Sequence, residues 1–239
     1  MDSTQNMMLI RHMLSEGRYD DAIAMAAVPG MCLHRGRIGR NVLGEAIARH
    51  VPFWVIERIL KMCPEAAENV DAYGLTPLHQ AINSGREDQT ELVKMLLPAF
   101  PGAAAIPNRD GLLPLFTSVS KYPCLETFHL LFDAYPAGLV EKDEFGQNLL
   151  HNAVLTSFSI SKAIIGLWPG ALKEADNAGL LPLHLFCKSG RSANAREIFW
   201  LLYNANPEEQ DGTIIQLAVQ NWSLPDEIPN FLIGTVSQL

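Results

Sequence analysis

Three histidines recur in similar words along the chain. His79 stands in "DAYGLTPLHQA", His151 in "EFGQNLLHNA" and His184 in "NAGLLPLHLF". Each sits at a fixed offset from a glycine. Imidazole groups in such a pattern suit metal ligation or acid–base chemistry near neutral pH. Two neighbouring copies of the pattern carry Phe116 and Gly44 at the same place, which a catalytic row would not tolerate. If the copies are stacked units, adjacent rings lie roughly 10 Å apart, the width of a packed helix. One zinc with bonds of about 2 Å cannot be shared over that distance. The histidines are therefore read as structural, and no catalytic, cofactor-binding or metal residue is assigned.

Other chemistry-bearing residues give no organised site. GxSxG, HExxH and kinase signatures are missing. The cysteines, Cys32, Cys63, Cys124 and Cys187, lie 31, 61 and 63 residues apart with no CxxC, so no short-range zinc or redox motif exists. Nothing beside Cys63 or Cys187 argues for a lowered pKa, and both are read as inert buried thiols. The basic stretch "HRGRIGR", His34 to Arg40, imitates a phosphate loop through Gly36 and Gly39. No Lys-Ser or Lys-Thr follows, so a solvated turn is the reading. Most of the tryptophans, Trp54, Trp168, Trp200 and Trp222, are expected to be buried.

The elements that hold these residues come from an internal repeat. Its glycines, Gly39, Gly74, Gly111, Gly146, Gly179 and Gly212, are spaced by 35, 37, 35, 33 and 33 residues. A second marker is a proline after an apolar stretch: Pro29, Pro64, Pro101, Pro136, Pro169 and Pro207. From proline to the next glycine the distance is 10 five times running, and 5 in the last unit. From glycine to proline it varies between 23 and 28. Each unit thus has one rigid connector and one tolerant loop, since packed connections resist insertion and surface loops accept it. Asp71, Asn108, Asp143 and Asp176 fall seven residues after the proline, where they and the following glycine favour tight turns. Thr76 suits an N-cap and Pro77 the first helical position. Leu78, Ala81 and Ile82 then share a helical face, as do Leu92, Met95 and Leu96 in the second helix. A unit reads as turn, helix, variable loop, helix, connector.

"DAYGLTPLHQA", "NRDGLLPLF", "DEFGQNLLHNA" and "DNAGLLPLHLF" resemble the ankyrin repeat family, the first matching its T-P-L-H-x-A signature outright. "GRIGRNVLGEAI" is a degraded copy. The resemblance implies an all-α repeat solenoid, an ankyrin-like stack of helix-turn-helix units with short turns or hairpins between them. Residues 1–35 are expected to form an N-terminal capping helix pair. About five repeats are expected over 36–220, and a C-terminal cap or tail over 221–239. Departures are visible: Leu113 and Leu181 stand where an N-cap should be, and Leu149 replaces the proline.

The resemblance further implies a non-enzymatic protein–protein interaction module. Its partner, a protein or peptide, would lie on the concave face formed by turn tips and first helices. Carried over unit by unit, the tips are Tyr73 and Leu75; Arg109, Asp110 and Leu112; Glu144, Phe145 and Gln147; Asn177 and Leu180. Asn83, Lys121, Thr156 and Lys188 line the neighbouring helices. Tyr73 and Phe145 are aromatic residues at equivalent turn positions, where an anchor for a partner is favoured. The alternative is a hydrolase-like enzyme built in the polar inter-helix loops "NSGREDQTE", "SVSKYPCLE" and "KSGRSANARE".

Composition bounds the partners. The 239 residues carry 18 basic and 26 acidic side chains, a net charge of −8, which disfavours nucleic acid as a general ligand. No uncharged apolar run approaches the roughly 18 residues of a membrane span, and the N-terminus lacks a signal-peptide pattern. A monomer in a reducing intracellular, cytoplasmic setting is expected, with no cofactor and no membrane partner.

Overall fold

A computed structural model describes residues 3–189 and 195–205. Among them are twelve α-helices and five 3-10 turns, with no strand beyond one isolated bridge, Lys142 to Asn148. The chain forms two compact units that divide between Gly138 and Leu139. Expectations about residues 206–239, including a cap over 221–239, lie outside the described residues.

In the first unit, α1 (Ser3–Ser15) and α2 (Tyr19–Ala26) form a helix pair. They are followed by α3 (Val42–Ala48), α4 (Phe53–Met62), α5 (Pro77–Asn83), α6 (Gln89–Ala99), α7 (Pro114–Thr117) and α8 (Leu125–Ala134). α1 packs on α2 and α3, and α2 on α4. Beyond them α3 packs on α5, α5 on α7, and α6 on α8. An ion pair from Arg11 to the buried carboxylate of Glu45, 3.3 Å, also ties α1 to α3. In the second unit α9 (Leu149–Ala153) packs on α10 (Phe158–Leu167) and on α11 (Pro182–Ser189), and α12 (Ala195–Ala205) packs on α10 and α11.

The constant ten-residue spacing has a structural cause. Four 3-10 turns begin on the marker prolines: Pro64–Glu68, Pro101–Ala105, Pro136–Leu139 and Pro169–Lys173. Proline presets φ for the first helical position and donates no N–H there. Each turn runs straight into a hairpin whose loop is closed by one side chain. Asp71 Oδ1 accepts from the N–H of Tyr73 (2.8 Å) and of Leu75 (3.0 Å). Asn108 does the same for Asp110 and Leu112, Asp143 for Phe145 and Gln147, and Asp176 for Ala178 and Leu180. The glycine at each tip has φ between 73° and 77°, the left-handed region that glycine enters without steric cost. An insertion anywhere in this stretch would break either the turn or the hairpin closure, so its length is fixed.

Helix starts follow the local chemistry. Thr76 caps α5 and Asn41 caps α3, each accepting from the N–H three residues on. Asn148 caps α9 by accepting from Leu150 and His151. Leu113 offers no such oxygen, and α7 is only four residues long. The core faces are as the spacing predicts: Leu78, Ala81, Ile82, Leu92 and Leu96 are at most 2% exposed. Met95 is an exception, half-buried, with Val93 taking the core position.

His79 and His151 tie neighbouring repeats together. His79 Nδ1 accepts from the Thr76 N–H (3.3 Å), and Nε2 faces the Leu112 carbonyl at 3.3 Å. His151 repeats this with Asn148 and the Leu180 carbonyl, 3.2 and 2.9 Å. These bonds require the Nε2–H tautomer. His184 accepts from the Leu181 N–H, 3.2 Å.

Two expectations are corrected. Cys63 is not a free thiol: it is disulfide-bonded to Cys32, because the 3-10 turns Met31–Leu33 and Pro64–Glu68 lie against each other and bring the two Cα atoms to 6.5 Å. The three described tryptophans are not core residues either, and Trp222 lies outside the described residues. Trp54 is 48% exposed, with Tyr19 edge-on to its ring at 6.0 Å, while Trp168 and Trp200 are half-buried. Smaller aliphatic residues of the second helices reach the core instead.

Burial pushes the His79 pKa down to about 4, the Leu112 carbonyl only partly offsetting it. The unfolded chain therefore binds the proton more readily, and stability must fall as pH drops from about 6.5 toward 4. His79→Ala should cost about 1–3 kcal/mol at pH 7, measured by urea unfolding, because it strands the buried Thr76 N–H and the part-buried Leu112 carbonyl. The variant should also lose, on the order of 2–3 kcal/mol, the part of the wild-type acid sensitivity that lies in this window. A second comparison probes the hairpins. A Cβ on Gly74 would lie 2.7 Å from the Arg109 nitrogen, whereas one on Gly111 meets nothing within 4 Å. Both have φ of 75°. Gly74→Ala should therefore destabilise by at least about 1 kcal/mol more than Gly111→Ala.

Candidate binding surface

The turn tips of the first unit are linked through their backbones. The Ala72 N–H donates to Ile38 O (2.8 Å) and the Arg109 N–H to Tyr73 O (3.0 Å). Asp71 anchors its own tip further. Its buried Oδ2 accepts from Arg40 Nε at 3.3 Å and from Gln80 Nε2 at 3.2 Å. The Tyr73 ring is thus carried on a turn whose polar groups are satisfied internally, and it is 55% exposed. Arg109 and Asp110 are exposed on the next tip, and Leu75 and Leu112 are half-buried at the bases.

Three of the sequence-predicted residues meet in one place. Leu75, Asn83 and Lys121 line a polar cleft of about 400 Å³, together with Arg40, His50 and Tyr122. Arg40 ends the basic stretch read from the sequence as a solvated turn, while no motif marks His50 or Tyr122 as surface residues of this cleft. Gln80 forms part of its wall: the residue is 5% exposed, and its Oε1 has no hydrogen-bond partner. Gly44, the odd residue at the histidine place, has a physical reason here. A Cβ at 44 would lie 2.7 Å from Gln80 Oε1. The Gln80 side chain of the following repeat uses the space that a side chain at 44 would need.

The second unit presents its own tips. Phe145 is 61% exposed and Glu144 is exposed, while Gln147 is half-buried. Asn177 is exposed but held to the preceding tip, its N–H donating to Phe145 O (2.9 Å) and its amide to Glu144 O (3.2 Å). Leu180 is half-buried, with its carbonyl engaged by His151. Thr156 follows α9 and Lys188 lies in the last turn of α11, both exposed. A separate groove of about 730 Å³ runs between α10 and α12, walled by Phe158, Trp200 and Leu201. Its charged lining residues are Lys162 and Glu197.

The inter-helix loops were the place for an enzyme site. Two of them, "NSGREDQTE" and "SVSKYPCLE", do converge, on a cleft of about 360 Å³ that holds Thr90, Lys121 and Cys124. Much of the polar character there is already paired. Arg86 grips Asp88 through two bonds of 2.6 and 2.7 Å, which holds the Asp88 carboxyl below its ordinary range, and also donates to Val51 O at 2.9 Å. Five residues of "KSGRSANARE", 190–194, lie outside the described residues. His79 and His151, whose pKa values burial pushes down, are buried between repeats and face no cleft described above. No group of three or more His, Cys, Asp or Glu among the described residues could hold a metal ion. No helix among them is long and apolar enough to cross a membrane.

Comparison with known proteins agrees with this architecture. The family model described as Ankyrin repeat matches residues 73–112. No curated protein sequence matches the chain. Among solved structures, the ankyrin repeat domain of Bcl-3, described as a unique member of the IkappaB protein family, superimposes with a TM-score of 0.64. It is 19% identical, over 82% of this chain and 85% of that one. Residues 73–112 are an ankyrin repeat, and the chain has the all-α stacked fold of an ankyrin-repeat domain.

Proposed function

We propose that the protein is a non-enzymatic binding module whose turn tips and first helices take up a partner protein or peptide. The observation that carries this reading is the exposure of two aromatic tips. Phe145 and Tyr73, at 61% and 55%, are the most exposed large apolar side chains described. Each sits one residue before a tip glycine, on a turn closed by an aspartate. Little of either ring's area is used in folding, and a rigid turn lowers the entropic cost of presenting it. Aromatic anchors on ordered backbone are the residues that most often dominate binding energy. Leu75, Asn83 and Lys121 offer mixed apolar and polar contacts within the first unit. The rival reading, a hydrolase-like site in the loops, has no nucleophile–base pair among the described residues to rest on.

Partner capture from native lysate with cross-linking and mass spectrometry identifies the ligand, and calorimetry then tests the face. Tyr73→Ala and Phe145→Ala together should weaken the captured partner by at least about 2 kcal/mol, the usual hot-spot scale. Melting should shift by only a few degrees, as expected for exposed sites. Trp54→Ala, which removes an exposed aromatic from a second helix, should leave affinity unchanged. Reversing Arg109 to Glu should alter association rate and salt dependence more than dissociation. Full affinity in the double variant would remove the tips from the binding face.

A further inference from the structure

Cys124 is the free thiol that the fold leaves accessible. Cys32 and Cys63 are bonded to each other, and Cys187 is fully buried. Cys124 occupies the N-cap position of α8, where Asn41 and Ser157 place an oxygen in α3 and α10. A capping atom must accept from backbone N–H groups, and sulfur does this well only as a thiolate. Cys124 makes no side-chain cap bond of its own, but Thr90 Oγ1 lies 3.4 Å from Sγ, and the backbone N–H groups of Glu126 and Thr127 at the helix start favour the thiolate. Thr90 Oγ1 is itself 3.1 Å from Thr127 Oγ1, so a small hydroxyl network surrounds the sulfur. Partial burial works against the thiolate, but these polar neighbours outweigh it and bring the Cys124 thiol below its ordinary pKa, whereas burial pushes Cys187 up to about 12.

The surroundings of Cys124 add an unfilled demand. Its cleft of about 360 Å³ is also lined by Gln89, which is 5% exposed and whose Nε2 has no hydrogen-bond partner. A buried amide donor without an acceptor is costly unless a ligand supplies one. Lys121 stands at the same cleft with its ammonium over the Tyr122 ring, 5.2 Å from the centroid. The Tyr122 ring lies over Gly85, where even a Cβ would collide with it. The other charged residues lining the cleft are Glu87 and Arg86, with Arg86 paired to Asp88, and Glu126 in the first turn of α8 is paired to Lys94 at 2.7 Å. A donor amide and an ammonium beside an activated sulfur fit a ligand that brings both a reactive sulfur and a carboxylate.

We propose that Cys124 is a modification site that forms a mixed disulfide with a small carboxylate-bearing thiol, delivered as its symmetrical disulfide. The Cys124 thiolate attacks one sulfur of the incoming disulfide. A new S–S bond forms as the old one breaks, and the departing thiolate takes a proton from water. Cys124 is oxidised, the small disulfide is reduced, and no further oxidant enters.

The test uses the full chain and oxidised glutathione at pH 7, read by intact mass and peptide mapping, with no variant required. One adduct is expected, on Cys124, with Cys187 unmodified. Carbamidomethylation of Cys124 by iodoacetamide should be roughly fivefold faster in the folded chain than in the same chain unfolded in urea. Thr90→Val should slow the folded reaction several-fold, and oxidised glutathione should outpace cystamine, a cationic disulfide of similar reactivity. Adducts on Cys187 at an equal rate, or a Cys124 no faster folded than unfolded, would overturn the assignment of an activated site. Cystamine reacting faster than glutathione would overturn the carboxylate-bearing ligand.

Discussion

The buried imidazole of His79 is the joint on which the stack depends. One ring nitrogen closes its own helix cap at Thr76, and the other reaches the Leu112 carbonyl of the next hairpin. A short helix such as the seven-residue α5 is marginal alone, since few backbone bonds offset the cost of nucleating it. It persists because the cap, the hairpin and the adjacent repeat are locked by one side chain in a dry environment. His151 does the same work in the second unit with Asn148 and Leu180. Where the histidine is missing, the structure compensates or shortens. Phe116 fills the place with apolar volume on a four-residue helix, and Gly44 yields its space to Gln80.

This arrangement explains why residues that look catalytic are structural. The imidazole is neutral, donating on one side and accepting on the other, with no lone pair left for a substrate. Its burial holds it in that state well below physiological pH. Surface left over by the scaffold lies at the tips, where Asp71 and Asp143 close the loops and aromatic side chains project. Order in the turn and exposure of the ring come from the same hydrogen bonds.

Much of the scaffold was legible in the sequence because its rules are local. Ten residues from proline to glycine encode a 3-10 turn followed by a hairpin, and each piece has its own chemical signature. Thr76 and Pro77 announce a helix start, and the absence of a capping oxygen at Leu113 announces a weak one. Contacts between distant residues were not legible. Cys32 and Cys63 lie 31 residues apart, and only the stacking of their connectors brings them together. The meeting of Arg40, His50 and Tyr122 with Leu75, Asn83 and Lys121 depends on how loops of different length fold over neighbouring repeats. Cys124 is silent for a similar reason: its activation comes from Thr90, 34 residues earlier, and from a helix start that carries no recognised capping residue.

The central claim is that His79 and His151 are neutral structural joints rather than reactive groups. Nitrogen-15 NMR of the imidazole rings tests it directly, because tautomer and titration are both read from the same shifts. The account predicts an Nε2–H tautomer for His79, with no titration until the pH approaches about 4. A ring that titrates near 6.5, or that carries its proton on Nδ1, would contradict it.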